Sequence, residues 1–274
     1  MNIIKPPLLK KGDTIGLLAV SGAMTDDTML NNAVDFFQSK GYKIKLSDNI
    51  YSKYRYLAGT DKERVSALHK MFSDKEVNAI ICLRGGFGAL RLIDKIDYNL
   101  IRQNPKIFCG YSDITVLNAM FLKHCGLSTY SGPMVLSDFG QENLCEYTID
   151  KFFETVQEGK FSYNGTFWGG NLASLVSLCG MNFVPDFKFD FFVEDLNEPV
   201  YKIDKMLTQL SNISQFRENI KSFYVGDFLG IDNQDWLEQV FNEFAQKLDI
   251  PIYMGFPASH SNQKATIPYG FYEK

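Results

Sequence analysis

Apolar runs of strand length alternate with helix-patterned segments through the first 135 residues, and that alternation is the strongest constraint on the fold. Thr14-Ile15-Gly16-Leu17-Leu18-Ala19-Val20 has strand length and is followed by the turn-forming pair Ser21-Gly22. Helical spacing runs from Asn31 to Phe37, and Tyr42-Lys43-Ile44-Lys45-Leu46 alternates like a strand. Asp61 to Phe72 returns to a helix, with Val65, Leu68 and Phe72 at compatible spacing. Ala79 to Leu83 and Ile107-Phe108-Cys109 are further buried-strand candidates. Strands alternating with helices predict an α/β fold with a largely parallel, doubly wound sheet. Sites in such sheets form beyond the carboxyl ends of the strands. Arg84-Gly85-Gly86 and Ser112 each follow a strand at once, so both are expected on that edge.

Ser112 stands in Gly110-Tyr111-Ser112-Asp113-Ile114-Thr115, between a β-prone run and a helical pattern. This is the layout of a nucleophile elbow, which thrusts a serine out of a tight strand-to-helix turn. The next backbone N–H groups can then stabilise an oxyanion. Ile114 replaces the second glycine of the Gly-x-Ser-x-Gly pattern, and a serine that merely caps the helix would look the same. The helix after it carries Val116, Leu117, Met120, Phe121 and His124 on one face.

A polar, charged stretch from about Leu136 to Phe161 reads as a connection between two domains. Beyond it, Phe187, Phe189, Phe191 and Val193 alternate with Lys188, Asp190, Phe192 and Glu194, which predicts a half-buried strand ending at Glu194. A helix follows with Ile203, Met206, Leu207 and Leu210 on its apolar face. Ser222 to Val225 and Ile252 to Met254 read as strands, with a helix from Trp236 to Leu248 between them. The expected division is a nucleophile domain over 1–135, a connector over 136–164 and a second domain over 165–274.

Composition removes several function classes. A net charge of -4, without a basic cluster interleaved with aromatics, argues against a nucleic-acid surface. No apolar run approaches the ~18 residues of a membrane span. The N-terminus lacks the apolar core of a signal peptide, which points to the cytoplasm. Five cysteines without paired spacing agree with reduced, mostly buried thiols. Three histidines, with no His-x-x-x-His or Cys-x-x-Cys, give a zinc site little support, so no metal is expected. His69 reads as a boundary residue and His124 as a helix C-terminal residue.

A nucleophilic serine needs a base, and the base needs an acceptor to hold its tautomer. His260 stands in a small polar loop soon after a strand, a suitable place to reach across a cleft, although loop histidines without function are common. Among Glu194, Asp195 and Glu198, the strand-end Glu194 is the best fixed acid. Gly85-Gly86-Phe87-Gly88 could hold a small ligand or phosphate, which would make the protein a non-catalytic binding module, but it has neither the ending of a phosphate loop nor dinucleotide spacing. Its better use is to let backbone approach a substrate, with the Gly86 N–H joining that of Asp113 at an oxyanion. Trp168-Gly169-Gly170-Asn171 is either a second close-approach segment or an ordinary turn before a helix over Leu172 to Leu178.

Taken in order, these segments resemble the LD-carboxypeptidase family of serine peptidases, which includes the microcin C self-immunity peptidases. The resemblance covers most of the chain and is carried by Leu83-Arg84-Gly85-Gly86-Phe87-Gly88, Gly110-Tyr111-Ser112-Asp113, Gly169-Gly170-Asn171-Leu172, Val193-Glu194-Asp195 and Gly255-Phe256-Pro257 with His260. It implies an N-terminal doubly wound domain, a smaller β-rich α/β C-terminal domain and an active site between them. It also implies Ser112 as nucleophile, His260 as base, Glu194 as its partner, and Asp113 and Gly86 as oxyanion donors. Arg84, Gly85, Trp168 and Asn171 are the expected substrate contacts. The implied substrate is a small murein-derived peptide in cell-wall recycling, or a peptide–nucleotide in the immunity branch. No cofactor and a homodimer are the family expectation. The chain departs from the family pattern at Ala19-Val20-Ser21, where Ala-Pro-Ser is common, at Phe87, and at Ser259 and Ser261 flanking the histidine.

Overall fold

The structure is a computed structural model describing residues 2–272, in which the apolar runs build two sheets. The first has β1 (Thr14–Leu18), β2 (Lys43–Leu46), β3 (Val77–Cys82), β4 (Ile107–Cys109) and β5 (Tyr130–Ser131) in parallel, ordered β5-β4-β3-β1-β2. The order reverses between β1 and β3, and a crevice opens at such a switch point. Both faces of the central strands β1, β3 and β4 are covered, which is why these are apolar runs, whereas the edge strand β2 alternates. Ile15, Leu17, Ala79 and Ile81 pack with Phe37 of α1 (Asp27–Ser39) and with Phe152 and Val156 of α5 (Glu146–Glu158). On the opposite face Leu18, Ile80 and Phe108 meet Leu68 and Phe72 of α2 (Asp61–Ser73) and Phe121 of α4 (Thr115–Cys125).

Local signals mark the helix ends. The Asp26 carboxylate accepts the Thr28 N–H at the start of α1, and Thr60 with Glu63 forms a capping box on α2. The segment 136–164 is more than a connector, because Ile149, Phe152 and Val156 of α5 belong to the first core. Helix α4 is buried nearly all round instead of on one face, since the second domain covers the side that the first sheet leaves open.

The second sheet places β6 (Gly165–Asn171), β7 (Phe189–Leu196), β8 (Ile220–Leu229) and β9 (Ile252–Met254) in parallel, ordered β6-β7-β8-β9. Helices α6 (Leu172–Val176), α7 (Val200–Ser211) and α9 (Gln234–Leu248) accompany it. The predicted half-buried strand is central and buried on both faces, Phe192 and Glu194 included, because β6 and β8 flank it and aromatic residues cover each side. The C-terminal stretch stitches the halves together. Its β10 (Ile267–Pro268) pairs antiparallel with β5, and β11 (Gly270–Tyr272) pairs antiparallel with β6. The protein is thus a two-domain α/β structure with a mostly parallel sheet in each half. All five cysteines are free, with Cys82, Cys109 and Cys125 buried. No described helix is long and apolar enough to cross a membrane.

Candidate active site

Beyond the carboxyl ends of β1, β3 and β4 lies a cleft of ≈ 290 Å³, lined in part by Arg84, Gly85, Gly86, Tyr111, Ser112 and His260. Ser112 sits where β4 turns into α4, with φ 61. A left-handed conformation at a non-glycine residue costs free energy and is held by its surroundings, as at strained functional turns. Helix α4 has no side-chain cap, so the capping reading of Ser112 is wrong.

The turn is anchored through Asp113. Its buried carboxylate accepts from Ser21 Oγ at 2.5 Å and from the Ala89 N–H at 2.8 Å, joining the loops after β1, β3 and β4. Burial raises the Asp113 carboxyl above its ordinary value, with the Ser21 and Ala89 hydrogen bonds acting against the shift. Ser21 thus contributes a buried hydroxyl whatever residue precedes it.

Gly85 packs directly on the serine. A Cβ there would lie 2.8 Å from Ser112 Cβ, 3.0 Å from Oγ and 3.4 Å from the Asp113 nitrogen. Gly85→Ala is therefore expected to lower kcat/KM about 100-fold by displacing the hydroxyl, since misplacement of ~1 Å costs that much. Steady-state kinetics beside a thermal melt checks this; a variant as fast as the wild type would show that the turn yields freely.

His260 reaches the same cleft from the loop after β9, on the other domain. Its Nδ1 is hydrogen-bonded to Glu194 Oε2. A carboxylate can only accept, so Nδ1 carries the proton and Nε2 is left as the basic nitrogen. Ser259 and Ser261, which flank the histidine, close the turn themselves. The Ser261 N–H and hydroxyl both engage Ser259 Oγ at 2.8 Å. The base of the loop is tied by the Ala265 N–H to the Pro257 carbonyl at 2.9 Å.

Strand alternation separates the two adjacent acids. β7 runs through Asp195 to Leu196, so Glu194 and Asp195 face opposite ways. Glu194 meets His260, whereas Asp195 accepts from Asn171 Nδ2, the Ala173 N–H and the Leu196 N–H, each at 2.9 Å. Burial pushes the Asp195 carboxyl up to about 6 although those donors favour its ionised form. Glu198 pairs with Lys202 on the helix beyond.

Two expected substrate contacts lie outside the residues that line the cleft. Trp168 lies within β6, fully buried against Phe183, Phe189 and Phe191, so its side chain does not reach the cleft. Asn171 is spent on Asp195 and on capping α6 through the Ser174 N–H. The glycines between them serve packing, since a Cβ on Gly170 (φ +119) would lie 2.7 Å from Thr115 Oγ1 at the start of α4. Thr25, Met134, Ser137 and Gln141 line the cleft without having been legible in the sequence. Ser137 is placed there by the segment Val135–Phe139, which forms a single turn of π-helix after β5. His69 accepts the Asp97 N–H, and His124 contacts the Asn182 carbonyl and Tyr98. No cluster of three potential metal ligands occurs among the described residues.

Comparison with known proteins agrees with this architecture. Residues 15–132 match the LD-carboxypeptidase N-terminal domain, and residues 164–272 match the LD-carboxypeptidase C-terminal domain. The chain belongs to the LD-carboxypeptidase family and is a hydrolase of the peptidase class. It is 35% identical over 287 residues to a probable murein peptide carboxypeptidase of Bacillus subtilis, covering 97% of this chain and 89% of that protein. It is 26% identical to the microcin C7 self-immunity protein MccF of Escherichia coli, covering 98% and 93%. The crystal structure of a muramoyltetrapeptide carboxypeptidase from Oxalobacter formigenes superposes with a TM-score of 0.84 at 30% identity, covering 94% and 92%.

Proposed function

We propose that the protein is a serine peptidase that releases a C-terminal D-amino acid from murein-derived peptides through an acyl-enzyme. The observation that carries the reading is the Glu194–His260 hydrogen bond aimed into the cleft that holds the strained Ser112. Ser112 Oγ attacks the scissile carbonyl while His260 Nε2 takes its proton, and the backbone N–H groups of Asp113 and Gly86 receive the developing oxyanion. His260 returns the proton to the leaving amine, and water, activated by the same imidazole, releases the peptide acid. Among the described residues lining the cleft, Arg84 is the only one with a fixed positive charge. A guanidinium suits the terminal carboxylate that a carboxypeptidase must recognise.

The name of the Bacillus relative supports a murein peptide as substrate, and that of MccF supports the immunity-type alternative. Incubation with a murein tetrapeptide and, separately, with an aminoacyl sulfamoyl adenosine decides between them, the products being weighed by mass spectrometry. Loss of the terminal D-alanine from the tetrapeptide at a much higher kcat/KM is the expected result. Faster cleavage of the aminoacyl nucleotide would move the protein to the immunity branch.

A further inference from the structure

Behind the cleft lies a buried ion pair that the reaction as described does not use. Lys264 Nζ bonds Asp138 Oδ1, and both side chains are 3% exposed. The two residues lie 126 positions apart in the chain. Lys264 ends the loop that carries His260, while Asp138 sits in the π-turn Val135–Phe139 that walls the cleft. Asp138 organises that wall, its second oxygen accepting from the Met134 N–H at 2.9 Å and from Ser137 Oγ at 2.8 Å.

The pair also touches the catalytic side chains through one ring. Lys264 Nζ lies 4.6 Å from the centroid of Tyr111, and the His260 ring meets the same Tyr111 at 5.0 Å and 73°. Tyr111 directly precedes Ser112, so the elbow, the wall and the base loop converge on this cation. A buried pair adds little net stability over apolar residues of equal volume, so its use is better sought in fixing one arrangement. Attraction between a cation and an aromatic face is directional and strengthens away from water.

We propose that Lys264 and Asp138 are a positioning pair that holds His260, through the Tyr111 ring and the loop backbone, in register with Ser112. The inference rests on the peptidase reading given above. Neither residue touches the reacting atoms, so their loss acts on alignment and not on substrate affinity.

The test compares the wild type with Lys264→Met/Asp138→Asn, which removes both charges together and strands neither. Asparagine at 138 still offers an oxygen to the Met134 N–H. Turnover of a murein tetrapeptide and the rate of Ser112 labelling by a fluorophosphonate are measured together, with circular dichroism and a thermal melt. Expected are falls of about 10- to 100-fold in kcat and in the labelling rate, with KM within about threefold and an unchanged fold. Lys264→Arg keeps the cation and is expected to fall less than the double variant. A double variant that folds and keeps wild-type kcat and labelling overturns the inference. Tyr111→Leu leaves the ion pair and removes the ring between it and His260. A matching loss of kcat and labelling at constant KM supports the inference, and wild-type rates in Tyr111→Leu overturn it even where the double variant does not fold. A wild-type protein that the probe leaves unlabelled refutes the serine mechanism itself, an outcome distinct from either of these.

Discussion

Ser112→Ala is expected to reduce kcat by about 10⁵- to 10⁶-fold while leaving the fold intact. Removing the nucleophile of another serine peptidase costs ~2 × 10⁶ in kcat, and what survives is the roughly 10³–10⁴-fold over water due to oxyanion donors and binding. The fold should persist because the Ser112 side chain caps no helix, and because Asp113, not Ser112, ties the turn to Ser21 and Ala89. Alanine meets the same left-handed backbone that serine does, so the substitution adds no new strain. Substrate binding should stay near that of the wild type, which makes the variant suitable for measuring affinity by titration calorimetry. A Ser112→Ala protein that retains even one-hundredth of the wild-type kcat would place the nucleophile elsewhere.

Glu194→Gln is expected to slow turnover by up to about 10⁴-fold, no more than Ser112→Ala does. The amide can still meet the His260 ring, but it cannot stabilise the imidazolium and it permits the wrong tautomer. Combining Glu194→Gln with Ser112→Ala should add little, because such residues act as a unit. Asp195→Asn makes the informative contrast. Its carboxylate accepts the Ala173 N–H at the first turn of α6 and the Asn171 amide, so an amide there sets donor against donor. The expected cost is about 1–3 kcal/mol of stability, with turnover close to wild type below the melting transition. Kinetics and urea unfolding of the two variants side by side separate the roles. Near-normal turnover in Glu194→Gln with a collapse in Asp195→Asn would make Asp195 the orienting acid.

Much of this arrangement is legible in local pattern. The runs at β1, β3 and β4 are short and apolar because both faces of the first sheet are covered, and their carboxyl ends point to the loops at Gly85 and Ser112. Glu194 stands out as an acid near the end of an aromatic strand, and His260 as a histidine in a small polar loop; the structure places His260 in the cleft with Ser112, and the buried Glu194 is hydrogen-bonded to that histidine. What the sequence conceals depends on contacts between distant segments. The glycines of β6 suppress its strand signal, yet they let the strand pass close to Thr115. Trp168 therefore reads as a cleft residue when it is core. The two-residue strands β5 and β10 leave no periodicity to detect, although they join the halves of the chain. Lys264 and Asp138, 126 positions apart, carry no mark of their pairing.

The most direct test of the mechanism is to treat the wild type with a fluorophosphonate, map the adduct by peptide mass spectrometry, and follow tetrapeptide turnover in the same samples. The serine mechanism predicts a single adduct on the peptide containing Ser112, loss of turnover in step with its formation, and no adduct at that peptide in Ser112→Ala. Full turnover in protein whose Ser112 is quantitatively modified would contradict it.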